Sequence, residues 1–534
     1  MDLPRVNDQQ TGQRQGMTET DVEEALISEA QSPPLAVVGR QTARGGTWMV
    51  GARLISRVID LGTMLVLAHI LSPKDFGLVA IAMTVIYIVE ASLELPLSQA
   101  LVRLQHVTQA HYDTAFTLSL IRGLALTVIV GLTSWPFSRF YTDSRLLPLV
   151  IVLSLAPAAR GLVSPRLAKF SRELDFSPDF MMEFAGKMVA FLIAVILAVT
   201  TRSYWAIAAG TIAAPVTGAV ISYVLAPYRP RLSLAALPAF SGFLGWITAA
   251  QVISAFNWQT DKMLMGKLTS RTELGLFAAA NDASNIPVMA LLSPIMRPLH
   301  AAFSLLRHDI KRLANSYQNS ASGMLALGLP ILVMESLVAY PAVRLLFGEK
   351  WMGSAPLLRW LAISLIPSLF AAPLGALVMA FGRTQIFFRR NLFEVCIKLP
   401  LVVLGAIKMG FMGVVLARCV SETLTVVFSM VMVRRLIGLS IRQQLLAPWR
   451  SLVAAAAMAL VVAAVLPKLT PSVHTVPLAM STLGVMMLGV MTYGSALWGL
   501  WILSGRPSGL EAMVNEKVME VCKGRVVAPS RESA

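Results

Sequence analysis

Charge is what this sequence has least of. Asp, Glu, Lys and Arg make up only 14% of its 534 residues, where a soluble chain carries about 25%. With 56% hydrophobic residues and a mean hydropathy of +0.67, this excludes a soluble globular protein and implies a polytopic membrane protein. Cysteine is nearly absent. Its three copies, at 396, 419 and 522, form no CxxC, which excludes a disulfide framework. Six scattered histidines include no HExxH or other metal spacing, so neither a metal nor a cofactor is expected. Residues 1–44, with TETDVEEALISEAQSPP, are polar and acidic and lack the apolar core of a signal peptide, so they read as a disordered cytoplasmic tail.

What is present is a series of apolar runs, each close to the roughly 20 residues needed to cross a bilayer. Fourteen spans are predicted, giving an all-α membrane protein. Six fall in 45–226 and six in 241–433, separated by a cytoplasmic linker at 227–240. Two more follow within 434–503, before a tail at 504–534. The shortest runs are 146–163 and 449–466. Alternate connections differ in basic content. One set holds Arg160, Arg166, Lys169 and Arg172 in one loop and Arg434, Arg435, Arg442 and Arg450 in another, and the other set holds fewer. The richer set is expected to be cytoplasmic, which puts both termini inside. The net charge of +16 is spread over many short loops, which fits anionic lipid headgroups and argues against nucleic acid.

The sequence also repeats itself. LAHILSPKDFGLVA at 67–80 aligns with MGKLTSRTELGLFA at 265–278, pairing Ser72 with Ser270, Asp75 with Glu273 and Gly77 with Gly275. The shift corresponds to six spans. An even number preserves topology, so the repeats are parallel, related by an axis along the membrane normal. Two six-helix lobes, V-shaped with a cleft between them, are expected.

Charges inside the spans mark the candidate site, because each costs roughly 2.5–3.5 kcal/mol at the bilayer centre. In RLISRVID, Arg53, Arg57 and Asp60 share one helical stripe. Counting depth along antiparallel spans 1 and 2 matches Arg57 with Glu90 and Arg53 with Glu94. Asp60 then needs a partner from elsewhere, Lys187 or Arg122. Glu183–Lys187, Arg418–Glu422 and Glu394–Lys398 are spaced i,i+4 and read as self-neutralised pairs on single helices. Arg122, Asp261, Lys262, Asp282, Arg297 and Glu335 lack such partners and are the stronger functional candidates. Arg297 lies between Pro294 and Pro298, which are expected to break or kink span 8.

Three segments carry a family resemblance: LAHILSPKDFGLVAIA at 67–82, ALVRLQHVTQAHYDTAF at 100–116 and WQTDKMLMGKLTSRTELGLFAAANDASNIPV at 258–288. In this order they resemble the Wzx- and ExoT-type polysaccharide flippases of the multidrug/oligosaccharidyl-lipid/polysaccharide (MOP) superfamily. The chain departs from the family pattern at His69, at Lys267 and at ELPLSQ over 94–99. The resemblance implies a transporter that moves an undecaprenyl-diphosphate-linked oligosaccharide from the cytoplasmic to the periplasmic leaflet of a bacterial inner membrane, for exopolysaccharide, capsule or O-antigen. It implies diphosphate binding by cavity cations, here Arg53, Arg57, Arg122, Lys262 and Arg297. It also implies work beside a polysaccharide polymerase and a chain-length regulator. Asp60, Glu90, Glu94, Asp261 and Asp282 are the candidates for ion coupling or pairing. A cation-coupled drug antiporter would want a more acidic cavity. A membrane polymerase or ligase would want larger extracytoplasmic loops than this chain has.

Overall fold

The computed structural model describes residues 55–506 except 94, 96, 105–106, 174, 238–245, 384 and 470–474, together with Glu511, Ala512 and Asn515. The two tails therefore lie largely outside the described residues, as do Arg53 and Glu94. Among the described residues the secondary structure is helical throughout, with no strand.

The main helices are α1 (residues 55–70), α2 (Pro73–Ser92), α3 (Gln109–Phe140), α4 (Leu146–Leu153), α5 (Leu155–Gly161), α6 (Ser177–Thr201) and α7 (Trp205–Leu225). They continue as α8 (Trp246–Leu268), α9 (Arg271–Leu306), α10 (Ile310–Leu337), α11 (Ala355–Phe370), α12 (Leu374–Ala380), α13 (Gln385–Ile437), α14 (Trp449–Leu469) and α15 (Thr475–Leu503). Ten helical segments among the described residues are long and apolar enough to cross a membrane. Hydropathy fixes these because a buried-in-lipid backbone must satisfy every N–H and C=O internally.

Two expectations are modified, and one boundary falls where expected. The run at 146–163 is broken into α4 and α5, with Ser154 at the break. Spans 11 and 12 are two helices, described together as α13, that meet as expected at a kink at Gly410, whose φ of 60° suits a residue without Cβ. Beside the bend, Gly405 and Gly413 touch backbone to backbone, so a Cβ on either would overlap the other. Span 8 is not broken at its prolines: α9 is continuous through Pro287, Pro294 and Pro298. Proline is tolerated in membrane helices because neighbouring helices and local adjustments satisfy the freed carbonyls.

The 198-residue shift has a physical counterpart. Ser72 and Ser270 both cap their helices in the same way. Each hydroxyl accepts from the third helical N–H, and Asp75 or Glu273 reaches back to the cap. The two helices then meet. A Cβ on Gly77 would overlap the Arg271 carbonyl, and one on Gly275 would overlap the Pro73 carbonyl. Gly77 and Gly275 are repeat partners, as are Pro73 and Arg271, so the contact is symmetric about an axis passing between the glycines.

Around this contact the polar links between the halves gather. Trp351 is fully buried, donates its Nε1–H to the Ala68 carbonyl at 2.9 Å and packs edge-on to Phe76. Lys350 donates to the His69 carbonyl at 2.9 Å. Tyr141 donates to the Met263 carbonyl at 3.0 Å, and Lys267 donates to the Phe140 carbonyl. Arg271 donates to the Tyr141 carbonyl at 2.9 Å and lies 3.4 Å from the Asp143 carboxylate. Asp143 is also held by Arg145 at 2.9 Å. Burial alone would raise the Asp143 carboxyl, but hydrogen bonds from Arg145 and Arg271 hold it below the usual aspartate value.

Candidate functional site

Among the described residues, two sizeable cavities lie between the helices, one in each half. The first, about 720 Å³, is enclosed by α1, α2, α6 and α7. Its charged side chains are Asp60 from the stripe on α1, Arg160 from α5, and Asp179, Glu183 and Lys187 from α6. Lys187 lies 2.8 Å from Asp60 and 3.1 Å from Glu183. One ammonium thus bridges two carboxylates and ties α6 to α1, a tie reinforced by its bond to the Ser56 carbonyl at 3.3 Å. Lys187, one of the two expected partners of Asp60, fills that role.

The depth matching of Arg57 with Glu90 is corrected. Arg57 lies 3.6 Å from Asp60 on its own helix and is half exposed. Glu90 pairs instead with Arg160, at the end of α5. The reason is the break at Ser154. Counting along two helices ignores a third, and the shortened fourth span ends where its arginine reaches across to α2. Arg122 on α3 donates to the carbonyls of Leu93, at 2.6 Å, and Glu90, at 3.4 Å, at the C-terminal end of α2. A cation there completes carbonyls that the helix end leaves open.

The second cavity, about 520 Å³, lies among α8, α9, α11, α12 and α13. Asp261, 3% exposed, is its hub. Lys398 lies 3.0 Å and Arg418 3.6 Å from the same carboxylate oxygen. Lys398 also donates to the Asn257 carbonyl at 3.0 Å, and Arg418 to the Asn281 side chain at 2.6 Å. Arg390 pairs with Glu394 at 3.3 Å. The expected pairs Glu394–Lys398 and Arg418–Glu422 are therefore replaced by pairs that cross to α8 or shift by one turn. Glu183–Lys187 alone of the three forms as spaced. A buried carboxylate on α8 attracts two cations more strongly than partners along the same helix, because the interior screens charge less than water does. Lys262, on the same helix as Asp261, pairs with Asp282 at 3.6 Å. Arg297 lies in α9; its side chain is outside the described residues. Glu335 on α10 belongs to neither cavity, and its buried Oε2 accepts no hydrogen bond among the described residues.

A sequence profile described as polysaccharide biosynthesis protein matches residues 66–356, more than half of the chain. The chain belongs to this family. Its relatives include the lipopolysaccharide biosynthesis protein WzxC of Escherichia coli K12, 26% identical over 77% of this chain and 84% of WzxC. They also include the succinoglycan biosynthesis transport protein ExoT of Rhizobium meliloti, 24% identical over 80% of this chain and 87% of ExoT. Among solved structures, the lipid II flippase MurJ in an inward closed conformation superposes with a TM-score of 0.67 at 14% identity, over 84% of this chain and 98% of MurJ. An inward-facing multidrug MATE transporter of the MOP superfamily gives 0.60 at 15% identity, over 73% of this chain and 98% of the transporter. The fold is that of MurJ and of this MATE transporter.

In this family member the candidate residues separate into two groups. Asp60 lines the first cavity and Asp261 the second. Lys262 and Asp282 form a pair of their own, and Arg57 and Arg122 hold positions on α1 and α3 near Asp60 and Glu90. Sequence reasoning placed Arg160 in a loop and passed over Arg390, Asn281 and Asn285. Two asparagines spaced i,i+4 within an apolar run were the available signal for a polar helix face.

Proposed function

We propose that this protein is a flippase for polysaccharide assembly. It moves an undecaprenyl-diphosphate-linked oligosaccharide from the cytoplasmic to the periplasmic leaflet of a bacterial inner membrane by alternating access. The observation that carries the reading is the pair of ion-lined cavities, one per repeat, enclosed by membrane-length helices in a chain of the polysaccharide biosynthesis family. Ionic side chains at such depth persist where they face protein or water, not acyl chains. A diphosphate demands cations: Arg160 and Lys187 line the first cavity and Arg390, Lys398 and Arg418 the second, and Arg57, Arg122 and Lys262 lie on α1, α3 and α8. Arginine meets phosphate oxygens through paired hydrogen bonds. The polyprenyl tail stays in lipid while the head group crosses.

In this reading fourteen spans form two six-helix lobes, 45–226 and 241–433, with an appended pair. The basic connections and both termini are cytoplasmic. The Gly77–Gly275 contact then closes the periplasmic side. Asp60, Glu90 and Asp261 are the acids for ion coupling, and a polymerase and a chain-length regulator act next on the delivered unit. The test is gene deletion followed by mass spectrometry of membrane lipids. A polyprenyl-diphosphate-linked oligosaccharide accumulates if the reading holds. An unchanged lipid pool with normal polymer output overturns it.

A further inference from the structure

The two cavities occupy equivalent places in the repeats, so their differences are informative. The shift that superposes Gly77 on Gly275 also superposes Asp60 on Trp258, Thr63 on Asp261, Met83 on Asn281 and Tyr87 on Asn285. Where the first half has an acid, a methionine and a tyrosine, the second has an indole and two amides. Trp258 lines the second cavity and is 58% exposed. Gln251, Asn281 and Asn285 line it as well, each partly exposed. Its ionisable lining, Asp261, Glu394 and Glu422 against Arg390, Lys398 and Arg418, sums to zero.

This lining suits one chemistry. Amides present both donors and acceptors, as hydroxyl-rich rings require. An exposed indole supplies a flat apolar face with a polar edge. Asn257 and Asp261, both more than nine-tenths buried, each keep one side-chain oxygen that accepts no hydrogen bond among the described residues, and Arg418 keeps an unused Nε–H. Buried polar atoms left over in this way call for a molecule that both donates and accepts. A hydroxyl does both.

We propose that the cavity among α8, α9 and α13 is the glycan-reading site: a sugar ring stacks on Trp258 and is held by the amides of Asn281, Asn285 and Gln251. The inference rests on the flippase reading and assigns the sugar part of the cargo to the second half, apart from the diphosphate.

The test uses the full chain purified into nanodiscs and two probes. One is a short-chain polyprenyl diphosphate without sugar. The other is the oligosaccharide released by mild acid from the producing cell's own lipid-linked pool. Equilibrium dialysis is expected to show that Trp258→Ala and Asn285→Ala weaken oligosaccharide binding at least tenfold, while binding of the diphosphate probe is retained. Trp258→Phe, which keeps an aromatic face, is expected to retain most oligosaccharide binding. Retained diphosphate binding also reports that the variants are folded. Oligosaccharide binding equal to wild type in both alanine variants overturns the assignment, and so does parallel loss of both probes. If the wild type binds the diphosphate probe and no oligosaccharide, this inference falls and the flippase reading stands. If it binds neither, both fall.

Discussion

Residue-scale energetics turn on Asp261. Its carboxylate faces two cations in an interior that screens charge poorly. Removing one member of such a group leaves buried charge uncompensated, at a cost of about 3–5 kcal/mol. Asp261→Asn is therefore expected to lower the melting temperature of the purified protein sharply, with Asp261→Glu losing less; equal melting of Asp261→Asn and wild type would show that the pairs contribute little. Arg57 sits at the opposite extreme. Half exposed and paired at 3.6 Å, it contributes at most about 1 kcal/mol to stability. Arg57→Ala is expected to insert and accumulate normally yet fail to support polymer export, and normal output would remove Arg57 from the path of the cargo. Which residues carry charge into the membrane was legible from hydropathy alone. Partner choice was legible only in part. Lys187 was one of two cations named for Asp60, and the pair forms at 2.8 Å. Arg160 with Glu90 was not legible, because it depends on a helix break that hydropathy averages over.

Elements were read well where lipid imposes the rule. Long apolar runs became helices because the bilayer offers no other spanning structure for them. The boundary between spans 11 and 12 was read where Gly410 turns the chain through a positive φ. The main-chain contact of Gly405 with Gly413 beside it was not visible in the apolar pattern. α9 runs through three prolines without a break. The capped starts of α2 and α9 were visible as a repeat, and their packing explains why the glycines recur. Gly275→Ala places a Cβ against the Pro73 carbonyl, so the α2–α9 contact must open. The expected result is a lower melting temperature and faster maleimide labelling of a cysteine introduced at Met263, beside Tyr141, in a background without the native cysteines. Unchanged labelling would mean that the contact tolerates a methyl group.

At the scale of the whole molecule the links between Asp143 and Arg271 tie the halves at one end. Because the Asp143 carboxyl titrates below its ordinary value, the stability it contributes is fully present above the unfolded aspartate pKa of about 3.9. It is lost only as pH falls through the depressed folded value. Asp143→Asn is thus expected to melt below wild type at pH 7 and at pH 5 by the same margin, with the two converging towards pH 3. A margin that already shrinks between pH 7 and pH 5 would assign the effect to another group. Arg145 keeps a hold on Asp143 from within the first half. When Arg271 leaves, the carboxylate is still paired, and the Arg271 guanidinium keeps its bond to the Gly266 carbonyl while losing its counter-ion.

The bare glycine contact sets how such parting proceeds. Where side chains interlock, two helices separate only after rotamers repack. Where two main chains meet with no Cβ between them, the surfaces are smooth at atomic scale and one can roll over the other. In the flippase reading Gly77 and Gly275 act as a bearing, and any graft of bulk onto either would turn a rocking joint into a wedge.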